Sequence, residues 1–145
     1  MTNENTPHSL TIASELTAAR QVEQHLLTLL RAQNYPEEFL FAIRLALEEA
    51  LSNAIKHGNR LDPEKKVTVT FSVGPDEVQL MVVDQGHGFE PSGVPDPTSD
   101  EHLEDPNGRG IMLMRAYMDE VSYNSRGNEV RMVKRLRPSQ SKQAS

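Results

Sequence analysis

Apolar residues recur at intervals of three and four across Phe39, Ile43, Ala46, Leu47, Ala50, Leu51 and Ala54. This is the period of an amphipathic helix, and at about 100° per residue these positions gather on one arc. The predicted helix occupies the stretch Pro36 to Asn59. Pro36 suits a first helical position, Glu37 and Glu38 suit the positive end of the dipole, and Gly58 and Asn59 supply the stop. Glu48 falls well away from the arc, Glu49 sits at its edge, and Asn53 and His57 fall inside it. Glu49, Asn53 and His57 follow i, i+4, i+8 and so form one row along the helix. A carboxylate and a carboxamide bordering a buried face are costly unless something pairs with them. The row is therefore the first functional candidate.

The same period recurs from about Glu15 to Ala32, with Leu16, Ala19, Val22, Leu26, Leu29 and Leu30 on the apolar side and Ser14 placed to cap it. Ile111 to Met118 reads as a short third helix. Strict alternation marks strands at Lys66 to Val73 and Glu77 to Asp84, and the short link between them predicts antiparallel neighbours. Ser9 to Ala13 is a short strand candidate. Glu120 to Ser125 and Glu129 to Leu136 form a predicted hairpin around Arg126-Gly127-Asn128. From Gln85 to Gly110 no period holds. That stretch is rich in glycine, proline and acidic residues, and a loop of such length in a compact domain is usually functional or disordered. Residues 1–8 are expected to be a disordered N-terminus, and residues 138–145 a polar tail. Helices grouped against hairpin-linked strands predict one α+β domain over residues 9–137. Its expected form is a two-layer sandwich with a mixed, mostly antiparallel sheet and the helices on one face.

Length and charge narrow the function. The 145 residues suffice for one domain with its own core, and the absence of cysteine excludes disulfides, thiolate catalysis and cysteine–metal sites. The formal net charge of −6 argues against a general nucleic-acid or membrane-surface binder. No apolar run approaches membrane-spanning length. The opening MTNENTPHS has no basic region followed by an apolar core, so no signal peptide is expected, and a cytoplasmic location is the default expectation.

Three features could carry chemistry. Asp84-Gln-Gly86-His-Gly88 closes an apolar strand, where glycines let the backbone approach a ligand and an aspartate can accept a hydrogen bond from an exocyclic amine such as adenine N6. The same pattern occurs in ordinary turns. Gly108-Arg109-Gly110 leads into the short helix, where free backbone N–H groups suit phosphate and Arg109 adds a forked cation. A glycine-rich helix start is also a common structural device. In the row, Asn53 could offer a carbonyl oxygen to Mg²⁺, and Glu49, one turn earlier, could take a proton from an attacking hydroxyl or water. The alternative is that both lie at the solvent edge and touch nothing. With one nearby carboxylate and no second histidine, His57 does not make a zinc site.

Taken together, these segments resemble the GHKL ATPases. Glu49-Ala-Leu-Ser-Asn53-Ala-Ile-Lys-His57-Gly58 is similar to the family's N-box, Asp84-Gln-Gly86-His-Gly88-Phe to its G1 box, and Gly108-Arg-Gly110-Ile111-Met-Leu-Met to its G2 box. The pattern is most similar to small anti-sigma-factor serine/threonine kinases of the SpoIIAB and RsbW type, in which Met-Asp-Glu-Val follows the G2 helix, as Met118 to Val121 does here. The resemblance implies a Bergerat ATP-binding fold. It makes Glu49 the general base, Asn53 the Mg²⁺ ligand and Asp84 the reader of the adenine amine. Gly86 and Gly88 would shape the base pocket, and His57 would complete the N-box. Gly108, Arg109, Gly110 and Ile111 would meet the phosphates, under an ATP lid spanning about residues 91–107. The implied cofactors are ATP and Mg²⁺. The implied partners are a sigma factor and a STAS-domain anti-sigma factor antagonist, and such proteins are typically homodimers. An ATP-binding regulatory adaptor with little or no kinase activity is the alternative.

Overall fold

In both Lys66–Val73 and Glu77–Asp84 the residues from the second position onward alternate between buried and more exposed. One face of each strand is therefore apolar and needs a cover, and the amphipathic helices supply it. The computed structural model describes residues 7–86 and 106–137, with the backbone alone described for residues 106–109. The elements are β1 (His8–Ala13), α1 (Leu16–Ala32), α2 (Glu37–Ser52), a π-helical turn (Asn53–Gly58), β2 (Lys66–Val73), β3 (Glu77–Asp84), α3 (Pro106–Tyr117), β4 (Glu120–Tyr123) and β5 (Glu129–Arg135).

The strands form a sheet in the order β1-β2-β3-β5-β4. Every described pairing is antiparallel, so the expected mixed sheet is antiparallel throughout the described strands. The β3–β5 pairing sets Val82 against Val130 and Leu80 against Met132. It joins the two hairpins across the long central segment. Val67, Val69, Phe71, Val78, Leu80, Val82, Val130 and Met132 share one core with Val22, Leu26 and Leu30 of α1 and Phe39, Ile43, Leu47 and Leu51 of α2. Thr68, Thr70, Ser72, Gln79 and Arg131 alternate with them and are half-buried or exposed. This is the expected two-layer α+β arrangement.

Local chemistry explains where boundaries depart from the sequence pattern. Pro36 is the cap of α2 rather than its first residue; its extended ψ of 152° lies outside the helix. Ser14 does not cap α1, because Glu15 holds that position and makes no side-chain cap bond. Instead the buried Ser14 hydroxyl donates to the Lys65 carbonyl at 2.6 Å and accepts from Asn59 Nδ2 at 2.8 Å. Asn59 is more than a helix stop. It is fully buried, its Nδ2 also donates to the Lys66 carbonyl at 2.9 Å, and its Oδ1 accepts the Gln85 N–H at 2.8 Å. One amide thus joins the start of α1, the start of β2 and the end of β3.

The predicted Pro36–Asn59 helix is α-helical only as far as Ser52. Beyond it the turns widen, with the Asn59 N–H donating to the Ala54 carbonyl at 2.8 Å. The wider turn shifts the helical phase, so His57 is exposed rather than inside the apolar arc. The chain leaves through Arg60 (φ 53°) and Leu61 (φ 59°), a left-handed pair that side chains disfavour. The Asn59 bonds flank and hold this strained exit. α3 also begins earlier than the apolar period shows, at Pro106 rather than Ile111, because proline is pre-organised for a first helical turn.

Asn59→Ala should lower unfolding free energy by about 2–4 kcal/mol, since it strands several buried polar groups at once. Urea denaturation checks this; a loss near zero would mean water replaces the amide.

Candidate functional site

β3 ends on its inward-facing row. Val78, Leu80 and Val82 are buried, and Asp84 continues the alternation, at 7% exposure. A carboxylate there has lost most of its water. Burial pushes the Asp84 carboxyl above its ordinary range, opposed by the Gly86 N–H bonded to it and by the Arg126 and Lys65 charges. The Gly86 bond, to Asp84 Oδ1, is 2.8 Å long.

Two glycines make this placement possible. A Cβ on Gly58 would lie 2.4 Å from the Asp84 carboxyl carbon, and one on Gly86 would lie 1.8 Å from the Gly58 carbonyl oxygen. The end of the π-helical turn and the end of β3 therefore meet backbone to backbone, with the carboxylate beside them. From the other side, Asp84 N–H donates to the Asn128 carbonyl at 2.9 Å, and Asn128 Nδ2 donates to the Asp84 carbonyl at 3.3 Å. Asn124 holds this turn through bonds to the Asn128 and Glu129 N–H groups.

The helix row meets α3 at the adjoining end. A Cβ on Gly110 would stand 3.0 Å from Glu49 Oε2 and 3.0 Å from Asn53 Nδ2. Glu49 is half-buried and Asn53 buried, as expected of residues at and inside the arc. Asn53 Nδ2 is buried and makes no hydrogen bond of good geometry among the described residues, although the Tyr123 hydroxyl stands within bonding reach of the Asn53 amide. Such a group is costly and points to a ligand that completes it. Asn53, His57, Asp84, Tyr123 and Asn128 line one cleft. Burial pushes the Tyr123 hydroxyl up to about 12, so it stays neutral beside Asn53.

Of the expected site residues, the fold brings Glu49, Asn53 and Gly110 together, and Asp84 with Gly86. His57 borders the cleft although exposed. The Ile111 side chain belongs to the core, leaving its main chain for a ligand. Gly108 and Arg109 lie within the first turn of α3 rather than before it; their side-chain placement is outside the described residues. Gly88 and the expected lid, up to α3, also lie outside them. Gly58, Tyr123, Asn124 and Asn128 are additions. The strand alternation ending in Asp84 signals an inward carboxylate, but nothing local marks Tyr123 or Asn128, which reach the cleft through the β3–β5 pairing.

The donor set suits a purine nucleotide. A buried carboxylate accepts from an amine, and an orphaned amide can serve phosphate through nitrogen or a hard cation through oxygen. Among the described residues no group of three or more His, Cys, Asp or Glu could hold a metal ion. A cation at Asn53 would share its remaining ligands with phosphate and water, which is the habit of Mg²⁺.

A sequence profile of the histidine kinase-like ATPase domain matches residues 12–134. The chain belongs to this family. Relatives within the histidine kinase-like ATPases include a serine-protein kinase RsbW of Bacillus licheniformis, 36% identical over 86 residues that cover 54% of this chain and 53% of that protein. An anti-sigma F factor of Clostridium perfringens is 34% identical over 105 residues, covering 68% and 74%. The RsbW kinase of Bacillus subtilis is 32% identical over 103 residues, covering 65% and 63%. The chain spans about half the length of the first relatives it matches. The solved RsbU and RsbW domains of Rv1364c from Mycobacterium tuberculosis share the fold, with a TM-score of 0.59 at 19% identity over 91% of this chain and 32% of that one. The GHKL resemblance and the expected fold are thereby borne out. No helix among the described residues is long and apolar enough to cross a membrane.

Gly86→Ala should cost about 2–4 kcal/mol, because the new methyl meets a backbone carbonyl rather than a flexible side chain. Thermal unfolding measures it; an unchanged melting temperature would mean that the Gly58–Gly86 contact is slack.

Proposed function

We propose that the protein is an anti-sigma factor serine/threonine kinase. It binds Mg-ATP, phosphorylates a serine or threonine on a STAS-type anti-sigma factor antagonist, and sequesters a sigma factor. The observation that carries this reading is the convergence of Glu49 and Asn53 on Gly110, next to a buried carboxylate at the end of β3. The names of the relatives support the choice of reaction and partners. In the cytoplasm, as a homodimer, such a protein would exchange one partner for the other.

Asp84 accepts a hydrogen bond from the adenine amine, and the close Gly58–Gly86 contact shapes the wall beside the base. Asn53 holds Mg²⁺ through its amide oxygen. The first turn of α3, with Gly108 and Arg109, receives the phosphates, and Gly110 just beyond it leaves room beside Glu49 and Asn53. Bound Mg-ATP supplies the transferable phosphoryl group and the charge neutralisation that transfer needs. Glu49 takes the proton from the attacking hydroxyl at its carboxylate oxygen. A regulatory adaptor that binds ATP but scarcely transfers phosphate would retain Asp84 and have no use for Glu49. The presence of both favours the kinase.

Calorimetric titration with ATP should show binding that needs Mg²⁺ and weakens about ten-fold or more in Asn53→Ala. No binding with or without Mg²⁺ would move the function to protein contacts alone. Glu49→Ala should cut phosphotransfer by about 10²–10⁴-fold while ATP still binds. Glu48→Ala, one residue away on the exposed face, should leave turnover nearly unchanged. Equal losses in the two variants would sink the assignment of the base.

A further inference from the structure

Glu48 and Glu49 are adjacent, but the helical rotation of about 100° sets them on different faces of α2. Glu49 faces Gly110 of α3, whereas Glu48 lines a separate groove of about 280 Å³ between α1 and α2. Glu23 of α1 lies across that groove. It is 9% exposed, and its Oε1 is buried with no hydrogen-bond partner among the described residues. The Glu48 carboxyl reaches it closely enough for a side-chain hydrogen bond, which two carboxyl groups can share only through a proton.

The nearby cations do not resolve this. Arg20 on α1 and Arg44 on α2 favour the charged form of Glu23 by their field, yet neither bonds its Oε1. Arg44 pairs instead with Glu48 at 3.8 Å, between side chains 47% and 46% exposed, and an open pair of that kind holds weakly. Burial, followed by the Glu48 charge, pushes Glu23 up to about 7. Arg20, Ala19, Leu51 and Ser52 complete the groove, with Leu16, 46% exposed, at its lip.

We propose that the α1–α2 groove is a docking site for a basic side chain, the guanidinium or ammonium group of a partner polypeptide, received jointly by Glu23 and Glu48. Charge complementarity selects this occupant. A neutral donor could satisfy Oε1 but would leave two carboxylates facing each other, whereas a cation answers both and dispenses with the shared proton. The methylene stem of lysine or arginine matches the exposed Leu16 surface at the lip. On entry the cation replaces the shared proton, which passes to solvent. Glu23, pushed up to about 7, resists the cation while it holds its proton. Loss of that proton leaves Glu23 charged, so docking strengthens as pH rises. The site lies outside the nucleotide cleft and does not rest on the kinase reading.

The test is an NMR titration of the full chain with n-butylguanidine for the guanidinium, n-butylamine for the ammonium, and magnesium chloride as an inorganic cation. Saturable shifts around Leu16, Glu23, Glu48 and Ser52 with either organic cation, about ten-fold tighter near pH 8 than near pH 6, are expected. Which amine binds tighter names the side chain. Glu23→Gln should weaken binding about ten-fold or more and remove its pH dependence. Glu48→Gln, at an exposed position that leaves the fold intact, should weaken it as well. The proposal is overturned by the absence of saturable shifts near pH 8, by equal affinity in wild type and Glu48→Gln, or by Mg²⁺ alone reproducing the shifts.

Discussion

A carboxylate held out of water at the end of a strand is the constraint on which the site depends. Asp84 occupies a position that alternation assigns to the core, and an ionised group is stable there only if its surroundings supply what water did. The Gly86 N–H does part of this, and the Arg126 and Lys65 charges assist. The remaining capacity of the carboxylate is what an amine on a ligand can use. Because Gly58 and Gly86 touch without side chains between them, the helix end and the strand end cannot separate independently, and the cleft inherits its width from that contact.

Behind the carboxylate a second polar cluster does the structural work. Asn59 binds three segments through one amide, with Ser14 completing the arrangement. It lies where α2 has given way to a π-helical turn and the chain leaves through two left-handed residues. A wide turn and a strained exit are unfavourable on their own, and such features persist where surrounding bonds over-determine them. Here they deliver Gly58 to Asp84 while Glu49 and Asn53 stay in α-helical register with each other. Asn53 opens the irregular turn with its N–H still bonded to the Glu49 carbonyl, and the irregularity lies beyond it, where the chain must close on the sheet.

α2 consequently works on two sides. Its inner edge gives Glu49 and Asn53 to the cleft, and its outer face gives Glu48 to the groove shared with Glu23. The same rotation per residue that separates adjacent glutamates by about 100° separates the two environments. Glu49 meets Gly110 and the Asn53 amide, and Glu48 meets the buried carboxyl of Glu23 and the lip at Leu16.

The chain's own periodicities determined the layers, the strands of the two hairpins, the exposure of Glu48 and the Glu49–Asn53 row. These rest on side-chain spacing within one element, which local sequence records fully. The three boxes also carried the family. Other features were decided by tertiary structure. The π-helical turn that turns His57 outward answers a contact between residues 58 and 86, and Ser14 left its capping role because Asn59 and Lys65 offered buried partners. The entry of Tyr123 and Asn128 into the cleft follows from β5 pairing with β3. So does the meeting of Glu23 with Glu48, which requires α1 to pack against α2. Spacing along a chain encodes which face a residue takes; which distant group waits on that face is settled only when the elements pack.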